Sequence, residues 1–505
     1  MSGRAARAPF AAFASAALGA LQTLAYVHTA AWPLPILCLA LLAGLWQGSG
    51  WRRAAVLGWC FGLGWLCAGV WWLFISMHRY GGLPAPLAVA AVVALAGALS
   101  LYWAAAGATY ARWRQGTVAD VALFVALCLL AELARGVWFT GFPWIALGYS
   151  QLDGPLAALA PWLGVYGIGA AVAALAALLA RLWWQRRQPG RRTAAAMVLV
   201  AAVVVTVLGL TGPVRFTQAS GELSVALLQS NVPQDQKFAA EAMAQTLVWV
   251  RDQLLGAQAD LVVAPETAVP LLPSQLREMA PGYWETLERH FAGRPGAALV
   301  GVPLGDFERG YTNSVVGLSA AAPYRYDKLH LVPFGEFIPT GFRWFTELMN
   351  IPLGDFARGV PNPPSLVLRS QRLAPNICYE DLFGEELARR FVDPLLAPTV
   401  LVNISNMGWF GDSEAITQHL NISRLRALEL QRPILRSTNT GATAIIDHQG
   451  RVTALLAPHT QGVLSGKVQG RQGVTPFAWW AGRLGLWPLW GLAAVTVLAV
   501  ARRRA

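Results

Sequence analysis

Leu373-Ala374-Pro375-Asn376-Ile377-Cys378-Tyr379-Glu380-Asp381 reads as an apolar strand that ends on a thiol and runs directly into two carboxylates. The chain has five cysteines, and the other four, Cys38, Cys60, Cys67 and Cys128, lie inside long apolar stretches. There a cysteine acts as a small hydrophobe. Cys378 alone stands in the polar half, beside acids and without a polar-half partner for a disulfide, which marks a candidate nucleophile. The competing reading is a structural thiol buried at a strand end.

Working outward from that strand, the composition after Gly212-Pro213 alternates short apolar runs with amphipathic ones, the pattern of an α/β domain. Strands are expected at Ser224–Leu228, Leu261–Ala264, Ala298–Val302, Ser314–Leu318, Ser365–Leu368, Leu373–Cys378, Thr399–Ile404, Ile434–Ser437, Thr443–Ile446 and Val452–Leu456. Helices are expected over roughly 238–256, 274–291, 383–392 and 414–430. Two β-rich halves with covering helices make one layered sandwich.

The other half is different. Charged residues are only 13 % of the 505, Trp numbers 22, and mean hydropathy is +0.44. That composition belongs to a membrane protein. Apolar runs long enough to span lie at about 9–27, 32–48, 54–76, 84–110, 118–138, 156–183, 193–210 and 484–501, giving about eight spans. With Arg4 and Arg7 cytoplasmic, Arg52-Arg53, Arg112, Arg114, Arg186, Arg187, Arg191, Arg192 and Arg502-Arg503-Arg504 all fall on that side. This positive-inside pattern puts residues 212–480 outside the cytoplasm. It also accounts for much of the net charge of +12, so no nucleic-acid partner is needed. The first run is read as an uncleaved anchor, since removing it as a signal peptide spoils the charge alternation of every later loop. Glu132, costly inside a span, lies three residues before Arg135, a spacing that suits a local ion pair.

The expected division is therefore a transmembrane domain over 1–211, an extracytoplasmic catalytic domain over 212–480, and a last span with its basic tail over 481–505.

Two further strand-end groups join Cys378. Glu266 directly follows the apolar run Leu261-Val262-Val263-Ala264, where a loop holds its carboxylate at the sheet rim. Lys328, in Tyr326-Asp327-Lys328-Leu329-His330, is one of three lysines, with Lys237 and Lys467, against 36 arginines. A carboxylate can take the thiol proton, and an ammonium favours the thiolate and steadies an oxyanion. Glu, Lys and Cys together suit acyl transfer through a thioester. No Cys/His spacing fits a zinc site and no glycine-rich loop fits a nucleotide, so no cofactor or metal is implied. His330 and His419 lie near these blocks and are read as structural.

Ala264-Pro265-Glu266-Thr267, the run from Tyr326 through Lys328 to Pro333-Phe334-Gly335-Glu336, and Ile377-Cys378-Tyr379-Glu380 resemble the three signature blocks of the carbon–nitrogen hydrolase (nitrilase) superfamily. Fused to many spans, the chain is similar to the apolipoprotein N-acyltransferase family. Gly141-Phe142-Pro143-Trp144, Asn403-Ile404-Ser405-Asn406, Trp409-Phe410-Gly411-Asp412 and Arg426-Ala427-Leu428-Glu429 fit that family in order.

The resemblance implies an α-β-β-α sandwich with Cys378 as nucleophile, Glu266 as general base, Lys328 as oxyanion-stabilising cation and Glu336 as support. It implies substrate contacts at Phe238, Tyr379, Glu380 and Trp409. It further implies a phospholipid acyl donor, a diacylated apolipoprotein acceptor, a bacterial inner membrane with the catalytic domain in the periplasm, and a monomer. Phe238 stands where the family often has Trp, and Met407 where an acid is common. Apolar Trp344-Phe345 and Leu348-Met349 are candidates to dip into the bilayer, against the reading of an ordinary loop packed on the core. Two other functions use the same sequence: a membrane-tethered amidohydrolase, and a silent scaffold on this fold. Eight spans exceed what a tether needs, and four intact polar site residues speak against a silent scaffold.

Overall fold

The computed structural model describes residues 7–184, 191–237, 239–341 and 356–503. Phe238 and the residues Trp344, Phe345, Leu348 and Met349 lie outside them. The chain forms two compact units.

The first unit takes in Met1–Phe74, Ala85–Val214 and Leu484–Ala505 and is helical. Among the described residues, five helices are long and apolar enough to cross a membrane: Thr29–Gln47, Ala85–Trp113, Ala119–Thr140, Pro155–Trp184 and Arg192–Thr211. The number rises to seven if two bent helix pairs, Trp51–Gly69 with Leu73–Tyr80 and Pro476–Leu484 with Trp487–Arg502, each count as one span. The remaining expected span is a shorter α-helix, Arg7–Leu21, continued by a 3-10 turn to Tyr26.

Small residues let these helices approach. A side chain at Gly64 would collide with the Ala16 carbonyl, and one at Gly58 with the Trp103 carbonyl. Such contacts suit an apolar solvent, where packing rather than hydrophobic exclusion joins helices. Glu132 and Arg135 form the expected pair at 3.0 Å, both buried. Arg135 also donates to the Phe142 and Trp144 carbonyls at 2.7 Å, and Glu132 accepts the Leu147 N–H at 2.9 Å. The pair thus ties the broken backbone after its helix to that helix.

The second unit takes in Ile75–Pro84 and Arg215–Arg483. Its first sheet uses β1 (Gln218–Gln229), β2 (Leu261–Val263), β3 (Ala297–Asp306), β4 (Gly310–Leu318) and β5 (Tyr324–Asp327). Its second uses β6 (Leu366–Leu368), β7 (Gln371–Ile377), β8 (Val400–Ser405), β9 (Ile434–Thr438), β10 (Ala444–Ile446) and β11 (Val452–Leu455). The last strand, β12 (Gly462–Gln472), returns to the first sheet, giving the orders β12-β1-β2-β3-β4-β5 and β11-β10-β9-β8-β7-β6. Strands β1, β2 and β3 run parallel, as do β7, β8 and β9.

Alternation decides the layers. Leu223, Val225 and Leu227 of β1 face the second sheet and pack in one core with its Leu373, Ile377, Val402 and Ile404. Ala226 and Leu228 face outward onto the helices Ala240–Gly256 and Tyr283–Ala292. The first of these buries Met243, Leu247, Val250 and Leu254, a single stripe at helical spacing. On the far side, Leu401, Ile434, Ala444 and Ile446 pack under Leu387, Phe391, Ala427, Leu430 and Phe477. This is the α-β-β-α sandwich.

Two strands lie beyond the expected set, β5 and β12. β12 carries Gly462, Gly466 and Gly470, which weaken a strand signal. Their reason is tertiary, since a side chain at Gly466 would overlap Ile445 and one at Gly470 would overlap Gln371, both from the second sheet.

Candidate active site

Glu266, Lys328 and Cys378 lie just past the carboxyl ends of β2, β5 and β7. In open α/β sheets that rim is where ligands bind. Each residue is held there by local backbone. Ala264 N–H donates to Leu299 O at 2.8 Å and Val269 N–H to Gly301 O at 3.2 Å, so the Pro265-Glu266 turn folds across β3. Gly301 is required there, because a side chain would strike the Pro265 carbonyl and the Glu266 backbone. Lys328 is tied by its own N–H to Asn313 O and by its carbonyl to Gly359 N–H, both at 2.8 Å.

Lys328, Glu266, Glu336 and Asn313 form one buried network. Lys328 Nζ lies 2.8 Å from Glu336 Oε1 and 3.7 Å from Glu266 Oε1. Asn313 Nδ2 donates to Glu266 Oε1 at 2.7 Å and to Glu336 Oε1 at 2.8 Å. Glu266 Oε2 accepts Asn406 N–H at 2.8 Å, and Glu336 Oε2 accepts Val332 N–H at 2.9 Å. Two carboxylates therefore share one cation and one amide.

Cys378 is half-buried and has φ +51, left-handed backbone that a non-glycine residue adopts at a cost of about 1–2 kcal/mol. Burial, then the Glu266 charge, push the thiol up, and Lys328 only partly counters them. These effects favour the protonated form of the Cys378 thiol. Burial alone would lower Lys328, but Glu336 and then Glu266 hold its ammonium well above the usual lysine range. The arrangement is a neutral thiol, a fixed cation and a carboxylate with free lone-pair capacity. It can move a proton from sulfur and receive negative charge on a bound carbonyl oxygen.

The substrate-contact residues implied by the resemblance fall in different settings. Trp409 is half-exposed, with its ring 5.9 Å from that of Tyr80. Tyr379 is buried against Phe383 at 5.3 Å and His330 at 5.7 Å. Glu380 is held by protein donors. It is buried, with Oε2 accepting from Tyr326 Oη at 2.6 Å and Ile377 N–H at 2.7 Å. Its Oε1 accepts from Leu329 N–H at 2.7 Å and His330 N–H at 3.2 Å. With its oxygens occupied by protein donors, Glu380 braces the strand end of Cys378 to the loop after Lys328.

Sequence reasoning passed over Asn313, whose only signal was a carboxamide at the start of an apolar strand. It also passed over Lys237, whose Nζ donates to the Glu266 carbonyl at 3.3 Å. Burial, with Glu266 opposing, brings Lys237 down to about 8.

A thiol, a carboxylate and an ammonium thus stand at the strand ends of an α-β-β-α sandwich, the fold of the carbon–nitrogen hydrolases. Residues 224–475 match the carbon-nitrogen hydrolase family model, and residues 18–178 match that of the apolipoprotein N-acyltransferase N-terminal domain. The chain is 52 % identical over 483 residues to an apolipoprotein N-acyltransferase of Verminephrobacter eiseniae, covering 90 % of this chain and 89 % of the relative. It is 44 % identical over 510 residues to one of Ralstonia nicotianae, covering 99 % and 94 %. Among solved structures, a CN-hydrolase superfamily protein from Xanthomonas campestris matches 53 % of this chain and 96 % of its own, at 19 % identity and a TM-score of 0.38. This chain belongs to the apolipoprotein N-acyltransferase family.

Proposed function

We propose that this membrane enzyme moves an acyl chain from a phospholipid, through a thioester on Cys378, to the α-amino group of the diacylglyceryl-cysteine that begins an apolipoprotein. The observation that carries the reading is the meeting of Cys378, Glu266 and Lys328 in a chain whose other half is apolar helices.

In the first half-reaction Glu266 takes the Sγ proton and the thiolate adds to the ester carbonyl. Lys328 stabilises the oxyanion. Collapse breaks the ester C–O bond, and the proton on Glu266 passes to the departing lysophospholipid oxygen. In the second, the neutral amine adds to the thioester and gives its proton to Glu266. The C–S bond breaks, sulfur recovers that proton, and an amide remains. Glu336 and Asn313 keep Lys328 and Glu266 in place through both steps.

On this reading the catalytic domain faces the periplasm from a bacterial inner membrane, and the protein works as a monomer. The arginine distribution and the lipid-borne nature of both substrates support that placement. Trp409 would line the approach to Cys378 on this reading.

The test is incubation with phospholipid radiolabelled in its acyl chain. Wild type should take up label through a base-labile bond, and Cys378→Ser should not. Addition of a diacylated lipopeptide should discharge the label onto the peptide amine. Equal labelling of the variant removes Cys378 from the mechanism, and discharge only as free fatty acid assigns an amidohydrolase instead.

A further inference from the structure

A second polar cluster, buried and untouched by the mechanism above, stands against the backbone of the nucleophile. His419, on the helix Glu414–Leu430, is fully buried, and its Nε2 lies 3.2 Å from Cys378 O. Asn403 Nδ2 donates to the same carbonyl at 3.3 Å. The other ring nitrogen, His419 Nδ1, lies 3.0 Å from Arg436 Nη2. Arg436, from β9, donates to Ser423 Oγ at 2.6 Å and sits 3.7 Å from Asp381 Oδ2, and Ser423 Oγ donates to Asp381. Arg436, Ser423 and Asp381 are also fully buried.

The chemistry of the partners fixes the proton. A guanidinium only donates, so His419 Nδ1 accepts. The ring proton is then on Nε2, which donates to the Cys378 carbonyl, an obligate acceptor. Burial, and next the Arg436 charge, hold the imidazole well below the ordinary histidine range, so it stays neutral. A neutral ring in one tautomer is a rigid strut from the Arg436–Asp381 pair to one peptide oxygen.

That peptide is the strained one. With φ +51, Cys378 turns its Cβ and thiol in a direction that ordinary strand backbone would not. We propose that His419 is a positioning residue for acyl transfer: its bond to the Cys378 carbonyl holds the left-handed backbone that aims Sγ at Glu266 and Lys328. Asn403 shares the work from β8. Without the strut the peptide relaxes toward negative φ and the thiol leaves the line joining base and cation.

The proposal rests on Cys378 being the nucleophile, and the experiment separates the two. Wild type, H419L, H419Q and a C378A control are purified in detergent–phospholipid micelles. Two rates are read: single-turnover acylation from radiolabelled phospholipid, and alkylation of Cys378 by iodoacetamide, followed by peptide mass spectrometry. Alkylation needs the thiol but neither Glu266 nor Lys328 in line. In H419L, acylation at saturating donor should fall roughly 10²-fold, the scale of an ångström misplacement. Its half-saturation should stay within about twofold of wild type, and its alkylation should hold or rise, since a thiol moved off Glu266 loses a charge that pushes it up. H419Q keeps an N–H for the carbonyl and an oxygen for Arg436, and should acylate within about fivefold of wild type.

Four results overturn the proposal: H419L acylating normally, acylation and alkylation falling together, a change in half-saturation alone, or folded H419Q as slow as H419L. H419M, which also lacks a donor but repacks readily, replaces H419L if that variant does not accumulate. Labelling of C378A would instead remove the nucleophile assignment itself.

Discussion

Lys328 and Glu336 form a buried ion pair at 2.8 Å, and the Asn313 amide bonded to Glu336 also reaches Glu266. Lys328 is thereby held between two carboxylates and kept above the ordinary lysine range. For a base raised in this way, the stabilisation is complete below its unfolded value and lost only as pH passes the folded one. Lys328 therefore stays charged throughout the neutral range.

Glu336→Gln removes one of the two anions and keeps the shape. Thioester formation should slow by at least about tenfold, less than the about 10²–10³ of losing an oxyanion donor outright. Lys328, with one carboxylate fewer, should titrate lower and bring a new fall in activity at alkaline pH. Single-turnover acylation against pH measures both. A variant with the wild-type rate and profile would show that Glu336 does not support the cation.

Glu266→Gln separates two effects of one carboxylate. Loss of the general base should cost about 10²–10⁴ in acylation. The Glu266 charge also raises the Cys378 thiol, second only to burial. Its removal should move the midpoint of the iodoacetamide pH profile to lower pH while acyl transfer is lost. A midpoint that stays in place or rises would count against the proximity of the two groups.

Gly301→Ala tests the turn that carries Glu266. A methyl group there meets the Pro265 carbonyl and the Glu266 backbone, so the turn must shift. Acylation should drop roughly 10²-fold for an ångström-scale displacement of the base. The melting temperature should fall by only a few degrees, as the strand pairs on both sides persist. Wild-type acylation in the alanine variant would refute the steric argument.

Lys237→Met concerns stability against pH. The native pKa, about 8, lies below the ordinary 10.5, so between these values the unfolded chain binds more protons. Wild type should gain stability as pH rises through that interval, by an amount on the order of 3 kcal/mol at 1.4 kcal/mol per unit. The methionine variant should lack this gain. Melting temperatures from pH 7 upward in detergent would show it, and parallel slopes for the two proteins would contradict it.

The sandwich was readable because its strands alternate and its helices carry apolar stripes. Leu261-Val262-Val263 and the Met243–Leu254 stripe specify their elements locally. β12 was not readable, because its glycines answer to Ile445 and Gln371 in the other sheet. Glu266, Lys328 and Cys378 were visible as polar residues ending apolar strands. Asn313 was not, since a carboxamide gains meaning only from the two acids it touches. The partners of Glu380 were not readable either, since donors from Tyr326, Ile377, Leu329 and His330 reach its oxygens only in the folded chain.

Residue order alone determined that this chain has an apolar helical half and an α/β half, because periodicity and hydropathy are properties of neighbours along the chain. It also singled out a cysteine, a lysine and a glutamate for acyl chemistry. Which groups share a donor, which one stays charged and which carboxylate ties a strand end to a loop were decided by tertiary structure. Those properties depend on burial and on distances of a few ångströms between residues as far apart as Glu266 and Asn406, or Cys378 and His419.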